Sequence, residues 1–264
     1  MVATSRPSYP LPRATKQTTG NRFRAASRRV VSRAFVVKVV HYGEADVIVT
    51  FFTEELGKIS ALARGARKST RRFAGALEPM HTLRVTLDER PGAELLGLRE
   101  AVVVRPRAHV LGDLERMNAA GQALRWVRAG SPNRTPEPEV WTELDCLLER
   151  LEDSTDPVPP RLHVLASGLR LLKHFGYGLG LDACVRCGKP CDAARAAFVD
   201  AGLGGLICQS CGGGRNAAHH LVDAATRKRL AAAAAGRDAA LEPEDTDIAE
   251  KLVNEALAAH AGVT

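Results

Sequence analysis

Short apolar runs separated by turn residues fill the chain from about residue 34 to residue 104. Five of them have the alternation or the β-branched content that is typical of strands. These runs are residues 34–40, 47–53, 58–64, 80–87 and 94–104. Turn residues follow the first, second and fourth runs, and one long loop separates the third from the fourth. Five short strands in this arrangement predict a small closed or partly open β-barrel of the OB type.

After Pro106 the apolar period becomes that of helices. Asp113 is the predicted N-cap of a helix that runs to about Val127, and apolar stripes over 140–151 and 162–172 predict two more. The last stretch, from about Val222, is alanine-rich and also predicted to be helical. The predicted fold class is therefore α+β and multidomain, with an OB-fold barrel over residues 34–105 and a helical domain over residues 106–264.

Positive charge is concentrated in the front part of the chain. The formal net charge is +7, but residues 1–110 hold 20 Lys/Arg against 9 Asp/Glu, whereas residues 111–264 hold 17 against 21. Residues 1–33 contain no acid and many Pro, Ser and Thr residues, which predicts a basic disordered tail. This distribution favours a nucleic-acid-binding module followed by a helper region.

The loop after the third predicted strand is the strongest candidate for a binding surface. It holds five cations and no acid within nine residues: Arg64, Arg67, Lys68, Arg71 and Arg72. These charges repel one another, whereas a polyanion bound to them releases its condensed counterions. We therefore predict that the loop binds nucleic acid, with a solvated charge run as the alternative. Tyr42 and Phe73 are the aromatics best placed to be exposed for stacking, although packing is the favoured role of each.

Four of the six cysteines form two CxxC pairs, Cys184 with Cys187 and Cys208 with Cys211. Two such turns present four thiolates to one ion and close a tetrahedral site, so we predict structural zinc in a module at about residues 182–213. The alternatives are free thiols or a redox pair, and the βαβ setting of a redox CxxC is absent. Cys191 lies close by and could compete as a ligand, but the two CxxC pairs already fill four positions.

The sequence lacks the features of membrane proteins, secreted proteins and several enzyme families. No run of about 18 apolar residues predicts a membrane span, and no apolar stretch follows the basic N-terminus as it does in a signal peptide. We therefore expect a cytoplasmic, nucleoid-associated protein without a membrane partner. No Walker A loop, dinucleotide fingerprint, HExxH or GxSxG motif occurs, so an enzyme is not expected.

Three stretches together resemble the RecO family of bacterial recombination mediators of the RecF pathway. They are YGEADVIVTFFTEELGKISALARGARKSTRRFAGALEPM at residues 42–80, LRLLKHFGYGLGLDACVRCG at residues 169–188 and FVDAGLGGLICQSC at residues 198–211. With the connecting helices the resemblance covers about residues 33–260. Leu179 stands where the family commonly has a proline, and the tail before Ala34 is not part of the family pattern.

The resemblance implies an OB-fold N-terminal domain and a helical domain with an inserted zinc module. It also implies binding of single- and double-stranded DNA and annealing of complementary strands. With RecR, such a protein helps RecA replace single-strand-binding protein. The five basic loop residues inherit the DNA-contact role by their match to the family's loop. Two other classes remain as alternatives: an RNA-binding or ribosome-associated zinc-ribbon protein, and a nucleic-acid enzyme with an unrecognised carboxylate site.

Overall fold

A computed structural model describes residues 27–69, 72–73 and 75–261 of the chain. Its first part is a sheet of five strands: β1 Arg28–Tyr42, β2 Asp46–Thr53, β3 Gly57–Ala63, β4 Thr82–Glu89 and β5 Leu95–Arg105. The sheet closes into a barrel in the order β1-β2-β3-β5-β4. Neighbouring strands are antiparallel except β3 and β5, which run parallel over three residue pairs from Ser60 with Leu95 to Leu62 with Gly97.

The first strand begins earlier than the composition of the chain indicates. Residues 28–33, predicted to belong to a disordered tail, form the first part of β1 and pair with β4, so that prediction is wrong for them. In the register of this pairing, Arg28 lies opposite Glu89 and Arg29 lies opposite Asp88. Residues 1–26 of the predicted tail lie outside the described residues.

Successive side chains of each strand point to opposite faces, and one of the two sets fills the barrel interior. The alternation is most regular in β3, where every second residue is buried. Phe51 lies in this interior and Phe52 points outward, as expected for successive residues of a strand. Both rings are nevertheless fully buried, because helices cover the outer face of β1 and β2. The interior is built from Ala34, Val36, Val47, Val49, Phe51, Ile59, Ala61, Leu83, Val85, Leu87, Leu96 and Leu98.

Up to residue 261, six α-helices follow: α1 Ala108–Gly112, α2 Leu114–Gly130, α3 Pro138–Glu152, α4 Pro160–His174, α5 Ala224–Ala234 and α6 Thr246–His260. The predicted cap is confirmed, since the Asp113 carboxylate accepts a hydrogen bond from the Arg116 N–H at 3.0 Å. The leucines of the two predicted stripes are buried together in one core. None of the helices in the described part of the chain is both long and apolar enough to span a bilayer.

A small four-stranded sheet is inserted between α4 and α5. Its strands are β6 Gly180–Cys184, β7 Ala197–Asp200, β8 Gly205–Ile207 and β9 His220–Val222, in the order β6-β8-β7-β9. Leu181, Val199, Leu206 and Val222 of this sheet belong to the same buried cluster as the helices. The insertion therefore shares its core with the helical part.

Trp141 of α3 joins the helices to the barrel. Its ring centroid lies 4.7 Å from that of Phe35 and 6.1 Å from that of Phe52, and the Arg33 guanidinium stacks 5.4 Å above it. Next to this aromatic contact, Asp145 lies 3.3 Å from the buried Arg107. The barrel and the helices thus bury aromatic and charged groups against each other, and this contact fixes the barrel on the helices.

A buried charge network ties α4 to the segment after α5. Arg170 contacts Glu143 at 2.8 Å and Asp238 at 2.6 Å, and the two ring nitrogens of His163 each lie 3.0 Å from a carboxylate oxygen, one of Asp156 and one of Asp238. Burial alone would lower the pKa of His163, but hydrogen bonding to Asp238 and the charge of Asp156 outweigh it, and the pKa lies above its ordinary value. The two carboxylates therefore favour the protonated form of His163 more than water does for a free histidine.

Candidate nucleic-acid interface and metal centre

The loop between β3 and β4 is anchored by backbone contacts at its beginning. Gly65 has a φ of +66°, and its N–H donates to the Asp46 carboxylate at 2.8 Å. The Arg67 N–H donates to the Ala45 carbonyl at 3.1 Å, and its guanidinium donates to the Glu44 carbonyl at 3.1 Å. The start of the loop is therefore tied to the turn between β1 and β2, and Arg67 is directed towards that turn.

The end of the loop is anchored by Phe73, whose side chain is buried in the barrel core. The Arg72 guanidinium lies 5.1 Å above the Phe73 ring and donates to the Arg64 carbonyl at 2.9 Å. Arg72 and Arg64 are thereby brought side by side, although eight residues separate them in the chain. Lys68 is exposed at the end of the short 3₁₀ helix Ala66–Lys68. Arg71 lies outside the described residues.

Arg64 and Arg72 line a cleft of about 500 Å³ that the β4–β5 turn closes from the other side. Arg90 and Arg99 come from that side, and we call the site formed by these four arginines the arginine cleft. Its floor is aliphatic, with Leu62, Leu95, Leu96 and Leu98. Among the described residues that line it, Asp88 is the one acid, and it is paired with Arg99 at 2.5 Å. Three of the four positive charges are therefore not compensated within the cleft, and that favours an anion.

Arg90 and Arg99 escaped the prediction from sequence, which had selected only the basic loop. They lie in a segment where acids and bases alternate, so local charge density does not mark them. The parallel pairing of β3 with β5 brings them to the cleft, because it sets residues 95–97, which directly follow the β4–β5 turn, beside residues 60–62 of β3. A prediction of the full strand order would have been needed to find them.

The arginine cleft continues into a second depression of about 580 Å³ on the other side of Leu95. Ile48 and Ser60 form its barrel side, and Asn133 and Arg134 of the helical part form its rim. The exposed groove therefore crosses the faces of β2, β3 and β5. Of the two aromatics considered for stacking, Tyr42 is 56% exposed at the end of β1, whereas Phe73 is 4% exposed and packs inside.

The two CxxC turns meet at the tip of the inserted sheet. The sulfur atoms of Cys184, Cys187, Cys208 and Cys211 all lie within 4.8 Å of one another. Cys184 ends β6, and Cys208 comes directly after β8, so the pairing of these two strands brings the turns together. The Cys187 and Cys208 sulfurs are 3.8 Å apart, which is about the S–S edge of a tetrahedron with Zn–S bonds of about 2.3 Å.

The ionisation of these thiols also fits a cation. The Cys208 N–H donates to the Cys184 sulfur at 3.4 Å and lowers the pKa of Cys184 to about 6, while hydrogen bonding to Cys208 raises the pKa of Cys211 to about 12. Four thiolates at this spacing repel one another, so they do not all form near neutral pH without a positive ion. A Zn²⁺ ion held by the four thiolates would supply that charge and cross-link the two turns.

The fifth cysteine of this region stands apart from the cluster. The Cys191 N–H donates to the Asp182 carbonyl at 2.9 Å, and its sulfur faces the Lys189 carbonyl at 3.8 Å. Burial raises the pKa of the Cys191 thiol, which keeps it protonated. The four cysteines of the CxxC pairs are therefore sufficient as the ligand set.

Both parts of the chain match models of a known protein family. Residues 28–107 match the family model described as Recombination protein O N terminal, and residues 111–263 match Recombination protein O C terminal. The chain belongs to the RecO family. The predicted resemblance is thereby confirmed.

Curated RecO proteins show the same relation along most of their length. The chain is similar to the DNA repair protein RecO of Anaeromyxobacter sp. (strain K), with 43% identity over 70% of this chain and 72% of the relative. The DNA repair protein RecO of Myxococcus xanthus (strain DK1622) is 37% identical over 87% of this chain and 91% of its own length. The chain is thus that of a RecO-family DNA repair protein, in which the boundary between the two matched regions falls just after β5.

Proposed function

We propose that this RecO-family protein is a recombination mediator that binds single- and double-stranded DNA and anneals complementary strands. The arginine cleft is the observation that carries the proposal. The strand order and the long β3–β4 loop support an OB fold for the barrel, and OB folds bind nucleic acid across the faces of their second and third strands. In this chain the arginine cleft opens beside the third strand, and the depression next to it reaches the second strand at Ile48.

The residues of the cleft suggest how annealing works. Arg64, Arg72 and Arg90 neutralise phosphates and lower the repulsion between two strands, so that base pairing itself can drive their association. The aliphatic floor around Leu62 and Leu95 offers apolar contact to sugars and bases without reading their edges. Such contacts depend on the backbone of the nucleic acid and little on its sequence. No chemical step by the protein is required, and we propose that it is not an enzyme.

The inserted module has a structural role in this proposal. Zn²⁺ held by the four thiolates at its tip would fix the two turns, and the sheet beneath them packs into the helical core. The helical part is then a stable platform on which partners assemble. We propose RecR and single-strand-binding protein as those partners, and RecA as the protein that is loaded onto the DNA as a result.

Annealing of complementary oligonucleotides coated with single-strand-binding protein tests the proposal directly. The purified protein is added without ATP and without a divalent metal ion, and duplex formation is followed by fluorescence. We expect faster annealing than with single-strand-binding protein alone, and a rate that falls as salt rises. A variant with Arg64→Ala and Arg72→Ala should lose most of the acceleration.

Two results would contradict this function. Preferential binding of RNA without faster annealing would favour the RNA-binding class of zinc-ribbon proteins. Cleavage of the oligonucleotides when a divalent metal ion is supplied would favour a nucleic-acid enzyme. Failure of annealing in the absence of RecR, with DNA binding intact, is resolved by repeating the assay with RecR present.

A further inference from the structure

The loop between α2 and α3, residues 131–137, leaves the helical part and docks on the barrel beside the DNA groove. Asn133 pairs in parallel with Lys58, and the Arg134 N–H donates to the Lys58 carbonyl at 2.8 Å. Gly57 permits this approach, because a Cβ atom there would overlap the backbone of the loop. Gly57 also has a φ of +66°, which disfavours other residues. The loop thus extends the barrel at the start of β3.

Arg134 is held in an unusual backbone conformation at this contact. Its φ is +57°, and only one other non-glycine residue among those that the structure describes has a positive φ. Such a conformation is costly and persists where surrounding contacts enforce it. The Arg134 guanidinium donates to the Ala93 carbonyl at 2.5 Å and to the Glu94 carbonyl at 3.2 Å, and it lies 3.2 Å from the Glu89 carboxylate.

These three acceptors belong to the two arms of the β4–β5 turn. Glu89 ends β4, and Ala93 and Glu94 lead into β5, so a single side chain holds the base of the turn together. The turn itself has Pro91 and Gly92 at its centre, with a φ of +73° at Gly92. It forms one wall of the arginine cleft and carries Arg90.

The strand pairing at this edge of the barrel is short. The strands β3 and β5 share three residue pairs, whereas β1 and β2 share eight. The contacts made by residues 131–137 therefore contribute much of the interaction that holds the β4–β5 turn in place relative to β3. Three of the five N–H groups of the Arg134 guanidinium are engaged by the turn, and Glu89 compensates its charge.

We infer that Arg134 is a positioning residue of the DNA site: it holds the β4–β5 turn so that Arg90 faces the groove. This inference rests on the proposed DNA binding. It assigns to the helical part a function in the DNA site that the barrel alone does not supply, and it makes the loop between α2 and α3 a strut between the two parts. A movement of the helices on binding a partner would then reach the arginine cleft through this loop.

The test compares full-length wild-type protein with Arg134→Ala, Arg134→Lys and the matched control Arg161→Ala. Arg161 carries the same charge and forms surface ion pairs with Asp247 and Glu250, but it lies on α4. Hydrogen–deuterium exchange of residues 90–95 is measured first, without nucleic acid. We expect faster exchange in both Arg134 variants, including Arg134→Lys, because an ammonium group does not reproduce the planar fork that spans the turn.

Binding of a fluorescent single-stranded oligonucleotide is then measured for the same variants, alone and combined with Arg90→Ala. Arg134→Ala should weaken binding about tenfold in the wild-type background and by about twofold or less when Arg90 is already absent, since coupled residues are not additive. Arg134→Lys should resemble Arg134→Ala although the net charge is kept. Arg161→Ala should leave both the exchange and the affinity unchanged.

Unchanged exchange in Arg134→Ala would overturn the inference whatever DNA binding shows. Faster exchange with unaltered affinity would also overturn it, since the turn would then be held for another purpose. An equal loss of affinity with and without Arg90 would identify Arg134 as an independent phosphate contact instead. If wild-type protein itself bound no DNA, the proposed function would fail, and this result is recognised without any variant.

Discussion

The arginine cleft makes a quantitative prediction about salt dependence. The perturbation is the triple variant Arg64→Ala, Arg72→Ala and Arg90→Ala, which removes the three positive charges that no acid compensates within the cleft. All three residues are solvent-exposed, so the barrel core stays intact and the variant should fold. A control variant removes three exposed arginines of the helical part and inserted module: Arg161, Arg195 and Arg237. The two variants have equal net charge.

The magnitude follows from one phosphate contact for each arginine. Losing three contacts to a single strand lowers the slope of log K against log salt concentration by about 2, so a rise from about 50 to about 200 mM salt weakens the wild type about twentyfold more than the variant. For duplex DNA the change in slope is larger, about 2.7, because counterions are condensed more densely on the duplex. The control variant should keep the wild-type slope.

Fluorescence anisotropy of a labelled oligonucleotide, titrated at four or more salt concentrations, measures this slope. Arg67→Ala adds a sharper comparison within the basic loop: the Glu44 carbonyl already engages its guanidinium, so its loss should change the slope less than the loss of Arg64 does. An equal reduction of slope in the cleft variant and the control would show that general charge drives binding. In that case the arginine cleft would not be the DNA-contact site.

Three further predictions concern the parts that support the site. Cys208→Ser should lose zinc, measured by metal analysis, and lower the midpoint of thermal unfolding, whereas Cys191→Ser should keep the metal; equal zinc content in both would contradict the four-thiolate site. His163 has a raised pKa, so its contribution to the free energy of unfolding is complete below about pH 6.5 and disappears as pH rises through the folded pKa. The difference between wild type and His163→Gln in urea unfolding should therefore shrink with rising pH, by at most about 1.4 kcal/mol per pH unit, and a constant difference would count against an imidazolium. Trp141→Ala should lower the free energy of unfolding by about 3–5 kcal/mol through the cavity at the barrel–helix contact, and a loss below about 1 kcal/mol would show that this contact does not hold the parts together.

Local patterns were sufficient for the barrel strands and for helices α2 to α6, whereas α1 and the strands of the inserted sheet were not predicted. Strand alternation located all five barrel strands to within a few residues, apart from the early start of β1, and the Asp113 cap marked the start of α2. These signals are short-range, because side-chain period and capping depend on residues that are neighbours in the chain. The start of β1 was missed because Arg28 and Arg29 resemble a charged tail until Asp88 and Glu89 are placed opposite them.

The two candidate sites differ in how far they could be predicted. The four cysteines of the candidate metal centre can be predicted from their spacing alone, because each CxxC turn is a local structure. The arginine cleft is not, since Arg90 and Arg99 join Arg64 only through the pairing of β3 with β5. Likewise, the buried state of Phe52 depends on Trp141, a residue almost ninety positions away in the chain.

The sequence alone is sufficient for the barrel strands and helices α2 to α6, for the two CxxC pairs, for the excess of positive charge at the front and for the resemblance to the RecO family. Only the tertiary structure decided which cations share one cleft, that Arg67 turns towards the β1–β2 turn, and that Arg134 braces the β4–β5 turn from the helical part. The physical reason is that charge and periodicity are properties of single segments, whereas an electrostatic site depends on distances between segments. Those distances are set by barrel closure and by helix packing, and neither is visible in any one stretch of the chain.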